Sequence, residues 1–228
     1  NTDHGFFLGE HVWWGKGSMP DYEELTHTPF FLWDPRSGKQ GERRSSLVQT
    51  IDIAPTLLDF FELPIPKDMI GRPLKETAET DKPVRDYAIF GYHGGPINIT
   101  DGRFVYMRAV ADGSGTLNDY TLMPTHMDCI FSTEELKQAS FYPPFSFTKG
   151  CPVLKIPAGG VGTARFEQKL KENRLYDIEE DPNQKKILED PVEEKRLVQA
   201  MAALLKENDA PNEIYQRYGL KMNEACTA

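Results

Sequence analysis

The sequence opens with NTDHGFFLGEHVWWGKG (residues 1–17), and this stretch decides how the rest of the chain is interpreted. Polar residues that can bind ligands, followed directly by glycine, are typical of a point where a buried strand ends and a functional loop begins. No such strand precedes Asn1 in this sequence. We therefore expect the chain to be the C-terminal portion of a longer α/β protein, starting close to a functional site.

Residues 1–80 have the pattern of the end of an α/β domain. The apolar run at positions 29–33, Pro-Phe-Phe-Leu-Trp, predicts a strand that is buried on both faces. Asp52 is in a position to cap a helix that runs through Phe61 and stops before Pro64. Residues 63–82, rich in proline, glycine and charge, predict a connection to a second unit.

Residues 81–228 predict a smaller α+β subdomain. Segments 87–92, 104–107 and 174–178 are strand-like, and Asp101-Gly102 predicts the turn of an antiparallel hairpin. Asp190 predicts the cap of a C-terminal helix, with Pro191 as its first residue, Glu193 as the reciprocal capping partner and an apolar stripe beyond. Residues 111–165 are expected to be an irregular insertion, and the glycines at 159–162 favour a flexible loop over a phosphate-binding loop.

Composition excludes several classes of partner. The 228 residues include 26 Lys and Arg against 35 Asp and Glu, a net charge of −9, so nucleic acid and acidic membrane surfaces are unfavourable partners. No apolar run approaches the ~20 residues of a membrane helix. Cys129, Cys151 and Cys226 are too few for a disulfide framework or a cysteine-rich zinc site. The cysteine count therefore does not indicate a cellular compartment.

Two features of the opening stretch suggest chemistry. Asp3 and His4 offer a carboxylate oxygen and an imidazole nitrogen, which suit a divalent metal, although an adjacent exposed pair is the alternative. Lys16 lies between two glycines, where the backbone can approach an anion, and Trp13 and Trp14 could shield its ammonium from water. The alternative is an exposed lysine in a glycine turn.

The motifs in this order resemble the type I sulfatases of the alkaline phosphatase superfamily. The resemblance covers roughly residues 1–108 and 174–206. The motifs that carry it are Thr2-Asp3-His4-Gly5, Leu8-Gly9-Glu10-His11, Trp14-Gly15-Lys16-Gly17, Tyr22-Glu23-Glu24, Thr28-Pro29-Phe30, Asp52-Ile53-Ala54-Pro55-Thr56-Leu57-Leu58-Asp59, Gly71-Arg72-Pro73-Leu74 and Leu175-Tyr176-Asp177-Ile178-Glu179-Glu180-Asp181-Pro182.

The resemblance implies a role for each matching residue. Asp3 and His4 would be two ligands of a divalent cation, expected to be Ca²⁺, and Lys16 would bind the sulfate oxygens. His11 would lie near the substrate, and His93 could reach it from the second subdomain. The implied fold is part of the sulfatase α/β sandwich followed by the α+β subdomain, and the implied partner is a sulfated small molecule or glycan.

The family's nucleophile, a formylglycine in a Cys/Ser-X-Pro-X-Arg motif, is not matched by any of the three cysteines; Cys151 has its proline one place early. We therefore expect this nucleophile to lie outside the chain and the chain alone to be inactive. The alternatives are a phosphonate monoester or phosphodiester hydrolase of the same superfamily, and a non-catalytic binding or assembly module. Loss of apolar cover around residues 30–33 and 53–61 predicts self-association into a homo-oligomer.

Overall fold

A computed structural model of the chain describes residues 1–16, 20–111, 117–123, 125–126, 129–158 and 170–221. Within these ranges the chain forms nine short strands and six α-helices. The strands are β1 (Phe7–Leu8), β2 (Trp14–Gly15), β3 (Ala88–Gly91), β4 (Ile97–Thr100), β5 (Phe104–Arg108), β6 (Asn118–Thr121), β7 (Ser140–Tyr142), β8 (Val153–Pro157) and β9 (Arg174–Asp177). The helices are α1 (Glu23–Thr26), α2 (Ile53–Phe60), α3 (Lys75–Thr80), α4 (Thr133–Gln138), α5 (Pro191–Glu207) and α6 (Asn212–Arg217).

The strands form three antiparallel sheets. β1 pairs with β2, a four-stranded sheet has the order β3-β4-β5-β9, and a three-stranded sheet has the order β6-β8-β7. The predicted hairpin is confirmed: Thr100 pairs with Val105, and the Asp101 carboxylate accepts from the backbone N–H groups of Arg103 and Phe104 at 2.9 and 2.7 Å. This is the mixed α/β architecture with antiparallel sheets that the sequence predicts.

Side chains along β5 alternate between the two faces of the four-stranded sheet, and a core cluster covers each face. Val105 and Met107 lie in a first core cluster with residues of the N-terminal segment 1–25. Tyr106 points to the other side, into a second core cluster with residues of α5. The first core cluster comprises Phe7, Tyr22, Leu25, Val105, Met107, Ala109, Leu170 and Tyr176. The sheet therefore supports the segment that carries the candidate site residues.

Helix α5 confirms the strongest helix prediction. Asp190 Oδ1 accepts from the N–H groups of Val192 and Glu193 at 3.0 and 3.1 Å, and Pro191 is the first helical residue. The carboxylate of Glu193 accepts from Arg196 Nε at 2.8 Å, so the reciprocal capping contact predicted for it is replaced by an ion pair. Leu197 and Met201 are fully buried against the sheet.

The strand predicted at 29–33 is wrong. These residues have no regular secondary structure, and the side chains of Phe31 and Trp33 are 88% and 75% exposed. The physical reason is that no strand in the described part of the chain pairs with this segment. An apolar run alone cannot form a buried strand without neighbours on both sides.

Helix α2 lies where predicted, but Asp52 does not cap it with its side chain. The Asp52 carboxylate is fully buried and accepts from the backbone N–H groups of Gln49 and Arg72 at 2.8 and 2.9 Å. Arg85 completes this site with a bidentate ion pair, its Nη2 lying 2.5 Å from Asp52 Oδ1. Asp52 thus joins the start of α2 to the segment before β3.

Two connecting regions are more regular than expected. The connection at 63–82 contains α3, and the insertion at 111–165 contains α4 and the three-stranded sheet. The glycines at 159–162 lie outside the described residues. Within the described ranges, no helix is both long and apolar enough to cross a membrane. The domain boundary near residue 80 stays a prediction.

Candidate functional site

The β1–β2 hairpin brings Lys16 back beside His4. Phe7 pairs with Gly15 and Leu8 with Trp14, so the residue after β2 lies next to the residues that precede β1. As a result, Lys16 Nζ is 2.5 Å from His4 Nε2, although the two residues are twelve positions apart. The hairpin therefore assembles the two candidate features of the opening stretch at one place.

His4 presents a lone pair to this place. Its Nδ1 lies 2.7 Å from the carbonyl oxygen of Gly5, which can only accept, so Nδ1 carries the proton and Nε2 is left as the acceptor. Asp3 Oδ2 lies 3.3 Å from the same Nε2. Hydrogen bonds from its own backbone N–H and from the Thr2 hydroxyl hold the pKa of Asp3 below its ordinary value, so the carboxylate is ionised at neutral pH.

Gly5 is required for this arrangement. Its backbone N–H donates to the carbonyl of Leu25 at 2.8 Å, and that of Phe6 donates to the carbonyl of Glu24 at 3.1 Å. A Cβ on Gly5 would lie 1.7 Å from the Glu24 carbonyl oxygen, so no other residue permits the approach. The contact with the α1 segment fixes the backbone directly after Asp3 and His4.

Asp3 and His4 fit two positions of a divalent cation's coordination shell. They supply one carboxylate oxygen and one imidazole nitrogen, both accessible to solvent. The described ranges contain no group of three or more His, Cys, Asp or Glu side chains placed to hold a metal, and calcium prefers six to eight oxygen ligands. Lys16 also contacts the same nitrogen. The pair could therefore hold a cation only together with further ligands.

His11 lies in the turn of the hairpin and packs inward. Its ring stacks on Tyr22, with centroids 3.7 Å apart and planes 3° apart, and its side chain is 12% exposed. Its Nε2 lies 3.5 Å from Glu24 Oε2, and Arg174 Nη1 donates to the Tyr22 hydroxyl at 2.8 Å. These contacts hold His11 against the first core cluster, and its predicted role toward substrate stays a prediction.

His93 lies in the loop between β3 and β4. Its Nε2 is 2.8 Å from Asp119 Oδ1 on β6, so it connects the four-stranded sheet to the three-stranded sheet. It also lines a cavity of about 280 Å³ with Leu117, Ile214 and Tyr218. The described contacts do not bring His93 together with Lys16, and its role toward substrate also stays a prediction.

The two tryptophans do not shield Lys16 as expected. Trp13 packs against the first core cluster, whereas Trp14 and Lys16 are both exposed. The alternation of side chains in the hairpin turns Trp13 inward, away from Lys16, and Trp14 outward, where its ring lies edge-on to Phe6. Lys16 therefore presents its ammonium to solvent.

One perturbed group near this segment has no clear signal in the sequence. Asp21 accepts a hydrogen bond from Asn98 Nδ2 at 2.9 Å, and burial raises its pKa to about 6. Asn98 lies on β4 and is buried. Only the packing of residues 20–25 on the four-stranded sheet creates this environment, so the residue pattern around Asp21 cannot reveal it.

Comparison with known proteins agrees with the resemblance found in the sequence. Residues 9–103 match the family model described as N-sulphoglucosamine sulphohydrolase, C-terminal. The chain is 40% identical over 80 residues to an N-acetylglucosamine-6-O-sulfatase of Bacteroides thetaiotaomicron, covering 35% of this chain and 14% of that protein. It is 41% identical over 96 residues to an arylsulfatase of Clostridium perfringens, covering 40% and 19%. The chain thus spans less than a fifth of these relatives.

Solved structures share the fold over most of the chain. A protein in complex with its substrate D-glucosamine-2-N,6-O-disulfate aligns with a TM-score of 0.58 at 20% identity, covering 92% of this chain and 34% of that one. A putative sulfatase from Bacteroides thetaiotaomicron aligns with a TM-score of 0.53 at 19% identity, covering 91% and 35%. The matched segment and the relatives support the assignment of this chain as the C-terminal portion of a sulfatase, and the solved structures share its fold.

Proposed function

We propose that this chain supplies the sulfate-binding lysine and two metal ligands of an enzyme that hydrolyses sulfate esters of sugars. The observation that supports the proposal is the meeting of Asp3, His4 and Lys16, with His4 Nε2 lying 3.3 Å from Asp3 Oδ2 and 2.5 Å from Lys16 Nζ. A carboxylate, an imidazole lone pair and an ammonium at one point can bind a cation and an anion side by side.

Lys16 would act on the sulfate group. Its ammonium has three N–H donors, of which one is directed to His4 Nε2, and two remain for sulfate oxygens. A compact positive charge at those oxygens stabilises the negative charge that grows as the ester bond breaks. Lys16 occupies the one lone pair of His4 Nε2, so a metal bound to that nitrogen would displace Lys16 and leave all three of its N–H donors for sulfate oxygens.

A divalent cation, when bound, would act as a Lewis acid toward the transferred group. Asp3 and His4 would hold it from one side, and the remaining ligands would come from outside the described residues. Calcium is the proposed ion, because this is what the sulfatase resemblance implies for an Asp-His pair.

The nucleophile would also come from outside this sequence. Asp3, His4 and Lys16 can bind and polarise a sulfate ester, but none of them is placed as a nucleophile with an activating base. We therefore propose a formylglycine nucleophile in a longer protein, and we expect the chain alone not to hydrolyse sulfate esters.

The proposed substrate is a sulfated sugar. Two observations support it: one relative is named an N-acetylglucosamine-6-O-sulfatase, and a structural neighbour is bound to D-glucosamine-2-N,6-O-disulfate. A phosphodiester hydrolase is the competing function within the superfamily, since a lysine and a metal serve both tetrahedral groups.

The proposal is tested in the longer protein that contains this chain. Lys16→Met should lower kcat/KM for 4-nitrophenyl sulfate by roughly 10²- to 10³-fold, the typical cost of one lost transition-state donor. Lys39→Met is the matched control, because Lys39 makes a partly exposed ion pair with Glu42. Equal activity of both variants would contradict the role of Lys16.

The same assay separates the competing functions. Preference for bis(4-nitrophenyl) phosphate over the sulfate ester would favour the phosphodiesterase. Absence of turnover on both esters would favour a non-catalytic binding or assembly module.

A further inference from the structure

A second concave site lies beside the three-stranded sheet, and none of its lining residues belongs to the segment 1–33. It is a cavity of about 390 Å³, within the usual range for small-molecule sites. Its walls come from the end of β6, the turn at 145–148 and the connection between α5 and α6. The residues that matter for recognition are Tyr120, Phe145, Phe147, Asn208 and Asp209.

One wall of the cavity is aromatic. The rings of Phe145 and Phe147 stack in parallel, with centroids 5.3 Å apart and planes 4° apart. Tyr120 meets Phe145 edge-on at 5.5 Å and so supports the stack from the sheet. Phe147 is 47% exposed, so the outermost ring of the stack remains available to a ligand. Such a ring offers a ligand a flat apolar surface. Holding the ring in place costs little conformational entropy, because its side chain has few rotatable bonds.

The other wall carries hydrogen-bond acceptors. Asp209 Oδ2 accepts from the backbone N–H of Ser146 at 2.7 Å, and hydrogen bonds from Ser146 hold the pKa of Asp209 below its ordinary value. Asn208 uses its Nδ2 to donate to the Leu204 carbonyl at 2.8 Å. A carboxylate can accept about four hydrogen bonds and an amide oxygen about two, so the Asp209 carboxylate and Asn208 Oδ1 both keep acceptor capacity for a ligand.

We propose that this cavity binds a neutral sugar ring of gluco configuration, stacked on Phe147 with its hydroxyls donating to Asp209 and Asn208. A pyranose with equatorial hydroxyls presents C–H groups on its faces and donors around its rim, which matches an aromatic wall next to acceptor oxygens. A purely apolar ligand would bury these oxygens without partners. A sulfated ring would be repelled by the Asp209 carboxylate.

The proposed sugar site goes beyond the proposed hydrolase function and does not depend on it. In a sulfated glycan it would bind an unsulfated ring, whereas Lys16 would bind the ester group. Because the site is defined by binding alone, it can be tested in this chain without any hydrolysis.

The experiment is a titration of the chain with cellobiose, a neutral disaccharide of gluco configuration, followed by saturation-transfer NMR and amide shifts. We expect saturation of the sugar C–H protons and millimolar binding that weakens roughly tenfold in Phe147→Ala and in Asp209→Asn. Glucose 6-sulfate should bind less tightly than glucose. Lys16→Met should bind cellobiose like the wild type, because Lys16 does not line this cavity. A loss of hydrolysis can therefore be distinguished from a loss of cellobiose binding.

Phe141→Ala is the matched control, because Phe141 is an exposed ring on β7 that does not line the cavity. Phe147→Leu keeps the apolar volume without the flat face, and it replaces Phe147→Ala if that variant fails to fold. Absence of cellobiose binding to the wild type, or equal weakening by Phe141→Ala, would overturn the proposal.

Discussion

Asp21 is a carboxyl group whose surroundings raise its pKa. It accepts from Asn98 Nδ2, but burial dominates and raises its pKa to about 6, against an ordinary value of 3.8. The folded state therefore binds this proton more tightly than the unfolded state. The resulting contribution to stability is fully present below about pH 4 and is lost as the pH rises through about 6.

We expect Asp21→Asn to remove this contribution. Between pH 5 and 7, the free energy of unfolding of the wild type should fall by roughly 1 kcal/mol more than that of the variant. Urea denaturation at each pH measures the difference. Glu189→Gln, at an exposed position, is the control and should leave the pH dependence unchanged. Parallel curves for Asp21→Asn and the wild type would show that Asp21 is not responsible.

At the scale of elements, the buried ion pair between Asp52 and Arg85 connects helix α2 to the segment before β3. Burial alone would raise the pKa of Asp52, but hydrogen bonds from Arg85 and the backbone of Gln49 and Arg72 outweigh it and hold that pKa below its ordinary value. The start of α2 and the segment before β3 are thus joined by a charge pair that is largely removed from water.

We expect Arg85→Met to destabilise the protein by about 3–5 kcal/mol, because it leaves the Asp52 carboxylate buried without its counter-charge. The free energy of unfolding from urea denaturation at pH 7 measures the loss. The control is Lys82→Met, which removes an exposed pair with Glu76 and should cost less than about 1 kcal/mol. A similar cost for both variants would contradict the assigned role of the buried pair.

At the scale of the whole molecule, the described apolar residues are unevenly covered. Neither core cluster includes a described residue between positions 27 and 86. Exposed apolar side chains concentrate in the same region. They include Phe30, Phe31, Leu32, Trp33, Ile51, Leu57, Phe61, Leu63, Ile65 and Ile70. Exposed apolar surface on this scale is typical of an interaction surface.

We expect the chain to associate with itself through this region at micromolar concentration. Light scattering of the wild type should give a mass above that of one chain, and the double variant Phe31→Ser, Phe61→Ser should shift the equilibrium toward monomer. Phe141→Ser, at an exposed position on β7, is the control and should not change the mass. A monodisperse monomer of the wild type would contradict self-association.

Elements that depend on near neighbours in the chain can be predicted from the residue pattern. The hairpin turn at Asp101 and the capped start of α5 follow from side-chain-to-backbone hydrogen bonds that span two or three residues. The order of motifs from Asp3 to Lys16 was likewise sufficient to recognise the sulfatase resemblance, which the matched segment and the relatives confirm.

Which side chains meet and which stay exposed depends on contacts between distant parts of the chain. The register of β1 and β2 places Lys16 on His4, and Arg174, 152 positions after Tyr22, fixes the ring on which His11 stacks. The apolar run at 29–33 remained exposed because no described strand pairs with it. The physical reason is the same in each case: caps and turns are completed within a few residues, whereas burial and strand pairing depend on partners that are distant in the chain.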